Sequence, residues 1–292
     1  MFTACFAILF KMNWFYLVLA GVFVVSIANV LEKVLMRDDK SDPIAYTIFF
    51  CFILGVLNGI AALFHGFSIP AFSISFIYLL VASILWSVGT VLVFKSLQLL
   101  ESSEVTIVTS LRAIITIVAS IFLLNESFNV QKTIGTVLIL ASVILVASLK
   151  KGFRFNNGLL LALVSTLFTG LAVVFDAFNV KSFDPISYLV IENFLMALVL
   201  ILIYPKTVRQ ISVFRNIHFL KNMMTLSFFS FLQAILYFYA LSIGPASQIA
   251  PINQAQVIVT VLVAALLLRE RDHLVPKILA AFLVMIGVIL LH

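Results

Sequence analysis

Asp42-Pro43-Ile44-Ala45-Tyr46 recurs 142 residues later as Asp184-Pro185-Ile186-Ser187-Tyr188. In both copies the pentapeptide opens a long apolar run. Proline is favoured in the first helical turn, and an acid just ahead of it suits the positive end of the helix dipole. A second correspondence runs without gaps from residues 94–148 onto 238–292, at an offset of 144. Apolar identities are cheap in such sequence, so the polar matches carry the weight: Ser103 with Ser247, Thr116 with Thr260, Glu126 with Glu270. The chain reads as two related halves, residues 13–149 and 157–292.

Outward from these anchors, apolar stretches alternate with breakers and predict helices near 14–35, 43–64, 74–98, 103–124, 130–149, 157–179, 185–204, 221–243, 246–268 and 274–291. The composition requires a bilayer. Of 292 residues, 63% are hydrophobic and 10% charged, against about a quarter charged in soluble domains. A span takes about 20 apolar residues, so ten spans leave only short loops and no soluble domain. The segments lack the alternation of barrel strands, and open strands cannot face lipid. Five helices per half is an odd number, which makes the second half enter the membrane from the opposite side. The expected fold is an all-α polytopic membrane protein of ten transmembrane helices, arranged as two inverted-topology five-helix repeats around a central cavity.

The net charge of +6 sits in short loops, a topology signal and not a nucleic-acid footprint. Twelve basic residues follow helices 1, 3, 5, 7 and 9: Arg37, Lys40, Lys150, Lys151, Arg154, Lys206, Arg209, Arg215, Lys221, Arg269, Arg271 and Lys277. The opposite side has Lys11, Lys132 and Lys181. By this count both termini face away from the cytoplasm. Met1–Lys11 has neither a basic start nor a small-residue cleavage site, and Met12 is an alternative start. Cys5 and Cys51 give no disulfide framework or metal-ligand spacing, and His65, His218, His273 and His292 share none. No H-E-x-x-H, phosphate-binding loop or Gly-x-Ser-x-Gly occurs. No enzyme, metal or cofactor is expected, and active transport would draw on a gradient.

The helix ends Leu123-Leu124-Asn125-Glu126 and Leu267-Leu268-Arg269-Glu270, each followed by the last helix of its half, resemble the drug/metabolite transporter superfamily, in particular its EamA family. Members typically have Gly-Glu at the first position and Ile-Gly in the helix that follows. Ile134-Gly135 keeps the second pattern, whereas Asn125-Glu126, Arg269-Glu270 and Ile278-Leu279 depart from it. Pro251 resembles the family's helix-9 proline, and Ile107 stands at that place in helix 4. The resemblance implies ten helices, a cavity open to one side at a time, and small organic solutes (amino acids, metabolites or drugs) moved by exchange or proton coupling. It also implies cytoplasmic termini, opposite to the charge count. The expected setting is the prokaryotic inner membrane, as monomer or homodimer, with lipid and a small-molecule substrate as partners.

Ionisable groups at membrane depth cost about 2.5–3.5 kcal/mol each, so Arg112 and Glu192, one from each half, are the first site candidates. Either they lock the halves as an ion pair, or Arg112 holds a substrate carboxylate while Glu192 takes an amine or a coupling proton. Thr109, Arg112 and Thr116 share one face of helix 4, and the offset maps them onto Asn253, Gln256 and Thr260 in helix 9. These stripes line a cavity or glue helices together. Ser230, Gln233 and Tyr237 repeat the spacing in helix 8, Tyr188 precedes Glu192 by one turn, and Trp86 and Thr90 are wall candidates. Asp176, a second coupling candidate, is expected at an interface, as are Lys95 and the Glu32-Lys33 pair. Gly55 and Gly59 read as a close-packing pair, and Pro251 as a gate or a static kink. The alternatives to a secondary exporter are a lipid-linked flippase and a non-transporting scaffold.

Overall fold

A computed structural model of the chain describes residues 13–36, 42–100, 105, 108–127, 129–148, 156–207, 217–260 and 274–291. Among the described residues there are ten α-helices and no strand: α1 Trp14–Met36, α2 Pro43–His65, α3 Ile74–Leu99, α4 Arg112–Leu124, α5 Val130–Ser148, α6 Asn157–Asn179, α7 Pro185–Ile203, α8 Ile217–Ile243, α9 Ala246–Asn253 and α10 Leu274–Leu291. Cys5, Met12, Ser103, Ile107, Arg269, Glu270 and the expected helix over 261–268 lie outside the described residues, as do the side chains of Glu32 and Lys33. Among the described residues five helices are long and apolar enough to cross a bilayer: α2, α3, α6, α7 and the 219–243 stretch of α8.

The repeated Asp-Pro does what its chemistry predicts. Asp42 Oδ1 accepts the Ile44 N–H at 2.9 Å, and Asp184 Oδ2 accepts the Ser187 N–H at 2.9 Å, with proline in the first turn of each helix. The other repeated signature has a different task. Asn125 ends α4 in the left-handed region, φ 53°, a conformation open to glycine and next best to asparagine. The family's glycine and this chain's asparagine therefore meet one requirement. Glu126 then reaches across to the start of α9, where its two carboxylate oxygens accept the Ala246 and Ser247 N–H groups at 2.8 Å each. Pro245 has no side chain able to cap that helix, so the acid satisfies orphan donors from another helix.

Helix packing follows the repeat. α3 packs on α6 and α1 on α8, a pair of contacts exchanged by the five-helix offset, while α2 packs on α7 and α5 on α10, each with its own counterpart. These pairs run antiparallel. The last residue of α2, His65, meets Asp184 ahead of α7 at 3.0 Å, and Gly135 of α5 lies against Gly287 and Leu291 of α10. At that α5–α10 crossing an added Cβ on Gly135 would stand 2.8 Å from the Gly287 carbonyl, so the backbones touch as small residues allow. The expected α2 pair splits. A Cβ added at Gly55 would stand 3.0 Å from the Phe194 ring, whereas one added at Gly59 would meet nothing within 4 Å, so Gly59 supports no close packing.

Many buried serines and threonines bond within their helices or across them. Ser165 Oγ of α6 donates to the Gly89 carbonyl of α3 at 2.9 Å, and Ser87 Oγ of α3 reaches the Met196 carbonyl of α7 at 3.2 Å. Outside, the surface is apolar: Phe23, Phe52, Phe122, Leu202 and Phe282 are each more than half exposed. In water such a belt would aggregate; against lipid it is the proper surface.

Candidate functional site

The sequence predicts unbroken helices over 103–124 and 246–268, and both are interrupted at the same repeat position. In the first, helical residues 108–110 give way to a turn at Leu111 before α4 begins at Arg112. In the second, α9 ends at Asn253, Gln254 and Ala255 form a turn, and residues 256–260 are helical again. The 144-residue offset puts Leu111 on Ala255 and Arg112 on Gln256. Pro251 loosens the turn ahead of itself, since it lacks an N–H, but the second break follows it and is made by tightened hydrogen bonds, Gln254 N–H to the Pro251 carbonyl at 3.0 Å and Ala255 N–H to the Ile252 carbonyl at 2.9 Å. Without a proline at the equivalent place, the first is made in the same way, by Leu111 N–H to the Val108 carbonyl at 3.1 Å and Ile114 N–H to the Leu111 carbonyl at 3.0 Å. Hydroxyls of the symmetry-related helices α6 and α1 serve carbonyls beside the breaks: Thr166 Oγ1 donates to Val108 at 3.3 Å, and Ser26 Oγ to Gln256 at 3.2 Å. Irregular backbone at membrane depth is tolerated where protein groups satisfy it or where it lines a cavity.

Both conditions hold here. A cavity of about 330 Å³ lies between the two breaks, with Arg112, Thr109, Asn253 and Gln256 in its wall. α3 adds Trp86 and Thr90, α7 adds Glu192, and α8 adds Ser230, Gln233 and Tyr237. Arg112 and Glu192, from different halves, thus face one chamber. Among the described residues no carboxylate lies within 4.0 Å of the Arg112 guanidinium, so the ion-pair reading has no contact to support it. Asn253 Oδ1 is buried and makes no hydrogen bond. Phe50, Leu54, Val93, Phe94 and Leu97 give the chamber an apolar side.

Three expected site residues and the expected gate lie away from the wall. Thr116 is buried, and its Oγ1 donates to the Gly170 carbonyl of α6 at 3.1 Å, so it serves packing. Thr260 is not among the residues lining the cavity, and its Oγ1 has no hydrogen-bond partner. Tyr188 is fully buried behind Glu192 and donates toward it at 3.3 Å. Pro251 is buried in α9, before the break. Asp176 corrects the expectation of an interfacial acid: it is 0% exposed, and its oxygens accept from Trp86 Nε1 at 2.7 Å and from the Tyr188 hydroxyl at 2.8 Å. Its distance from the helix end misled, because helix position says nothing of which neighbours cover a side chain. Asn29, Cys51 and Asn193 also line the chamber and escaped notice. Asn29 Nδ2 lies 3.5 Å from Gln256 Oε1, and an asparagine inside an apolar helix was the available signal.

Aromatic clusters flank the chamber in matched positions. Tyr46 meets Phe94 at 4.9 Å and Phe219 at 6.2 Å between ring centroids. Tyr188, its repeat counterpart, meets Phe238 at 5.7 Å and Phe183 at 5.6 Å, and Phe183 in turn meets Phe76 at 5.3 Å. Beyond the second cluster lie His65 with Asp184, and the Tyr239 hydroxyl 3.4 Å from His65 Nε2.

A family model, the EamA-like transporter family, matches twice, over residues 12–148 and 156–292. The chain belongs to the EamA-like transporter family. It is accordingly a multi-pass membrane protein of the drug/metabolite transporter type, whose setting is lipid and whose substrate is a small molecule. No curated protein matches it. Among solved structures, a crystal structure described only as that of a protein matches with a TM-score of 0.74 at 14% identity, over 94% of this chain and 96% of that one. At that identity the likeness speaks for the fold alone, and it extends over nearly all of both chains.

Proposed function

We propose that this chain is a secondary transporter that moves a small zwitterionic organic solute across the prokaryotic inner membrane by alternating access, in the direction of export. In this reading all ten helices span the bilayer, the two halves are inserted in opposite orientation, and the chamber between the helix breaks is the substrate site. One observation carries it: Arg112 and Glu192, from different repeats, line the same cavity, and among the described residues the arginine has no carboxylate in contact. A buried guanidinium is costly unless an anion completes it, and a substrate carboxylate would do so as a bidentate partner. Glu192 and the unbonded Asn253 Oδ1 are acceptors suited to the ammonium of the same solute. Gln256, Gln233 and Thr109 offer orienting contacts, and the apolar side would take its carbon skeleton.

The aromatic clusters around Tyr46 and Tyr188 are the natural gates, each built on a tyrosine and a phenylalanine that correspond across the repeat, Tyr46 with Phe94 and Tyr188 with Phe238. The antiparallel packing of α2 on α7 and α5 on α10 favours opposite insertion, since a two-fold axis in the membrane plane produces that pairing. A flippase would favour an apolar groove open to lipid, and the polar wall argues for a soluble solute.

The test is uptake and counterflow of radiolabelled amino acids by proteoliposomes with purified protein. Arg112→Ala and Glu192→Gln are expected to lower flux at least about tenfold, because losing one partner of a buried charged contact costs about 2 kcal/mol or more. Monodisperse variants that transport at the normal rate would remove both residues from the site. Reversing the solute gradient tests the direction.

A further inference from the structure

Behind the cavity wall lies a polar network with too few protons. Asp176 accepts from Trp86 Nε1 at 2.7 Å on one oxygen and from Tyr188 at 2.8 Å on the other. Tyr188 has a single proton, and Glu192 Oε1 stands farther from it, at 3.3 Å. Asn179 Nδ2 donates to the Tyr188 oxygen at 3.3 Å, while its own Oδ1, fully buried, finds no partner. The Tyr188 oxygen thus has one oxygen of each buried carboxyl within reach, which sets Asp176 and Glu192 on either side of it, and two carboxyl groups so close in a buried site share a proton because like charges there do not both ionise. Among the described residues no basic side chain lies within 4.0 Å of either. The titratable and charged groups around the pair are Tyr188 from α7 itself and, in the shared chamber wall, Cys51 from α2, Arg112 from α4 and Tyr237 from α8; α3 presents Trp86, and the described residues of α9 present none. The acid is confined to one half, since the repeat places Phe50 at the position of Glu192.

We infer that Asp176 and Glu192 hold one shared proton, that Glu192 exchanges it with the cavity, and that Trp86 ties the state of the pair to the cavity wall. Asp176, with a close donor on each oxygen, keeps the negative charge; Glu192, on the wall, carries the proton. On release the proton passes from the Glu192 carboxyl to water in the cavity and leaves two carboxylates facing each other. Their repulsion bears on the Trp86–Asp176 bond, and the indole is itself part of the wall. This names the coupling ion of the transport reading and rests on it for its purpose, though its test needs no transported solute.

The test uses the full chain in nanodiscs with Trp14→Phe, so that Trp86 is the sole tryptophan, and the probe is the proton alone. Emission followed against pH is expected to give a one-proton curve that vanishes when Glu192→Gln or Asp176→Asn is added. A flat curve with the pair intact, or an unchanged curve in Glu192→Gln, overturns the inference. As these variants can misfold, the unaltered protein is also compared in acid and alkaline buffer by infrared difference spectroscopy. One protonated-carboxyl band assigned by its loss in Glu192→Gln is expected, and its absence from the unaltered protein overturns the shared proton. Titration without amino-acid flux in proteoliposomes leaves the pair standing and removes the transport reading; flux without titration does the reverse.

Discussion

Tyr46 and Tyr188 occupy the same place in the two repeats, each one turn into a helix opened by Asp-Pro and each against a phenylalanine that corresponds across the repeat, Phe94 or Phe238. Their surroundings differ. One turn beyond Tyr46 stands Phe50, stacked on its ring at 6.5 Å; one turn beyond Tyr188 stands Glu192, with Asp176 behind it. The first cluster is apolar, while the second has the same shape with carboxyls built in. A duplicated frame therefore supplies two similar barriers, and substitution in one half alone supplies the chemistry. The same contrast holds at the helix breaks, where Arg112 faces its counterpart Gln256 across the cavity.

The sharpest way to break this contrast is to make the halves alike. Glu192→Phe copies the first cluster onto the second; flux in proteoliposomes should be lost, while the melting temperature holds or rises, because exchanging a buried ionisable group for a well-packed apolar one is often neutral or stabilising. The reverse exchange, Phe50→Glu, puts a carboxyl where nothing awaits it and should prevent purification of folded protein. A stable, fully active Glu192→Phe would make the difference between the clusters irrelevant to function.

A smaller effect is expected from Glu126→Ala, which uncovers the first two N–H groups of α9. Loss of a helix cap costs about 1 kcal/mol, read as a drop in melting temperature with solute affinity retained. If the repeat extends to this contact, Glu270→Ala lowers it equally, and unequal drops would limit the symmetry. The smallest change belongs to Pro251→Ala. Since the first half breaks without a proline, the break in α9 should survive, with flux altered only a few-fold; a large loss would show that the two breaks are held by different means.

Much of the fold was legible before any coordinates. The Asp-Pro openings mark two capped helices, and the offset of 144 residues pairs the breaks that bound the cavity. Arg112, Glu192, Asn253, Gln256, Gln233, Tyr237 and Trp86 stand out because polar groups are rare in apolar spans, and all of them line one chamber. Thr116 and Asp176 were misplaced for a common reason. A helical stripe gives the direction of a side chain and not the neighbour it meets, so Thr116 faces a carbonyl of α6 and Asp176 is covered by Trp86 and Tyr188.

By itself the sequence determined the class of molecule, the number and period of its helices and the duplication, because hydrophobicity and helix starts are local properties of the chain. Only the tertiary structure decided that Asp176 and Glu192 meet at one tyrosine hydroxyl, that Glu126 caps a helix of the other half, and that the span leading into α4 breaks without a proline. Each depends on contacts between residues far apart in the chain, and those contacts are fixed by the packing of one helix against another.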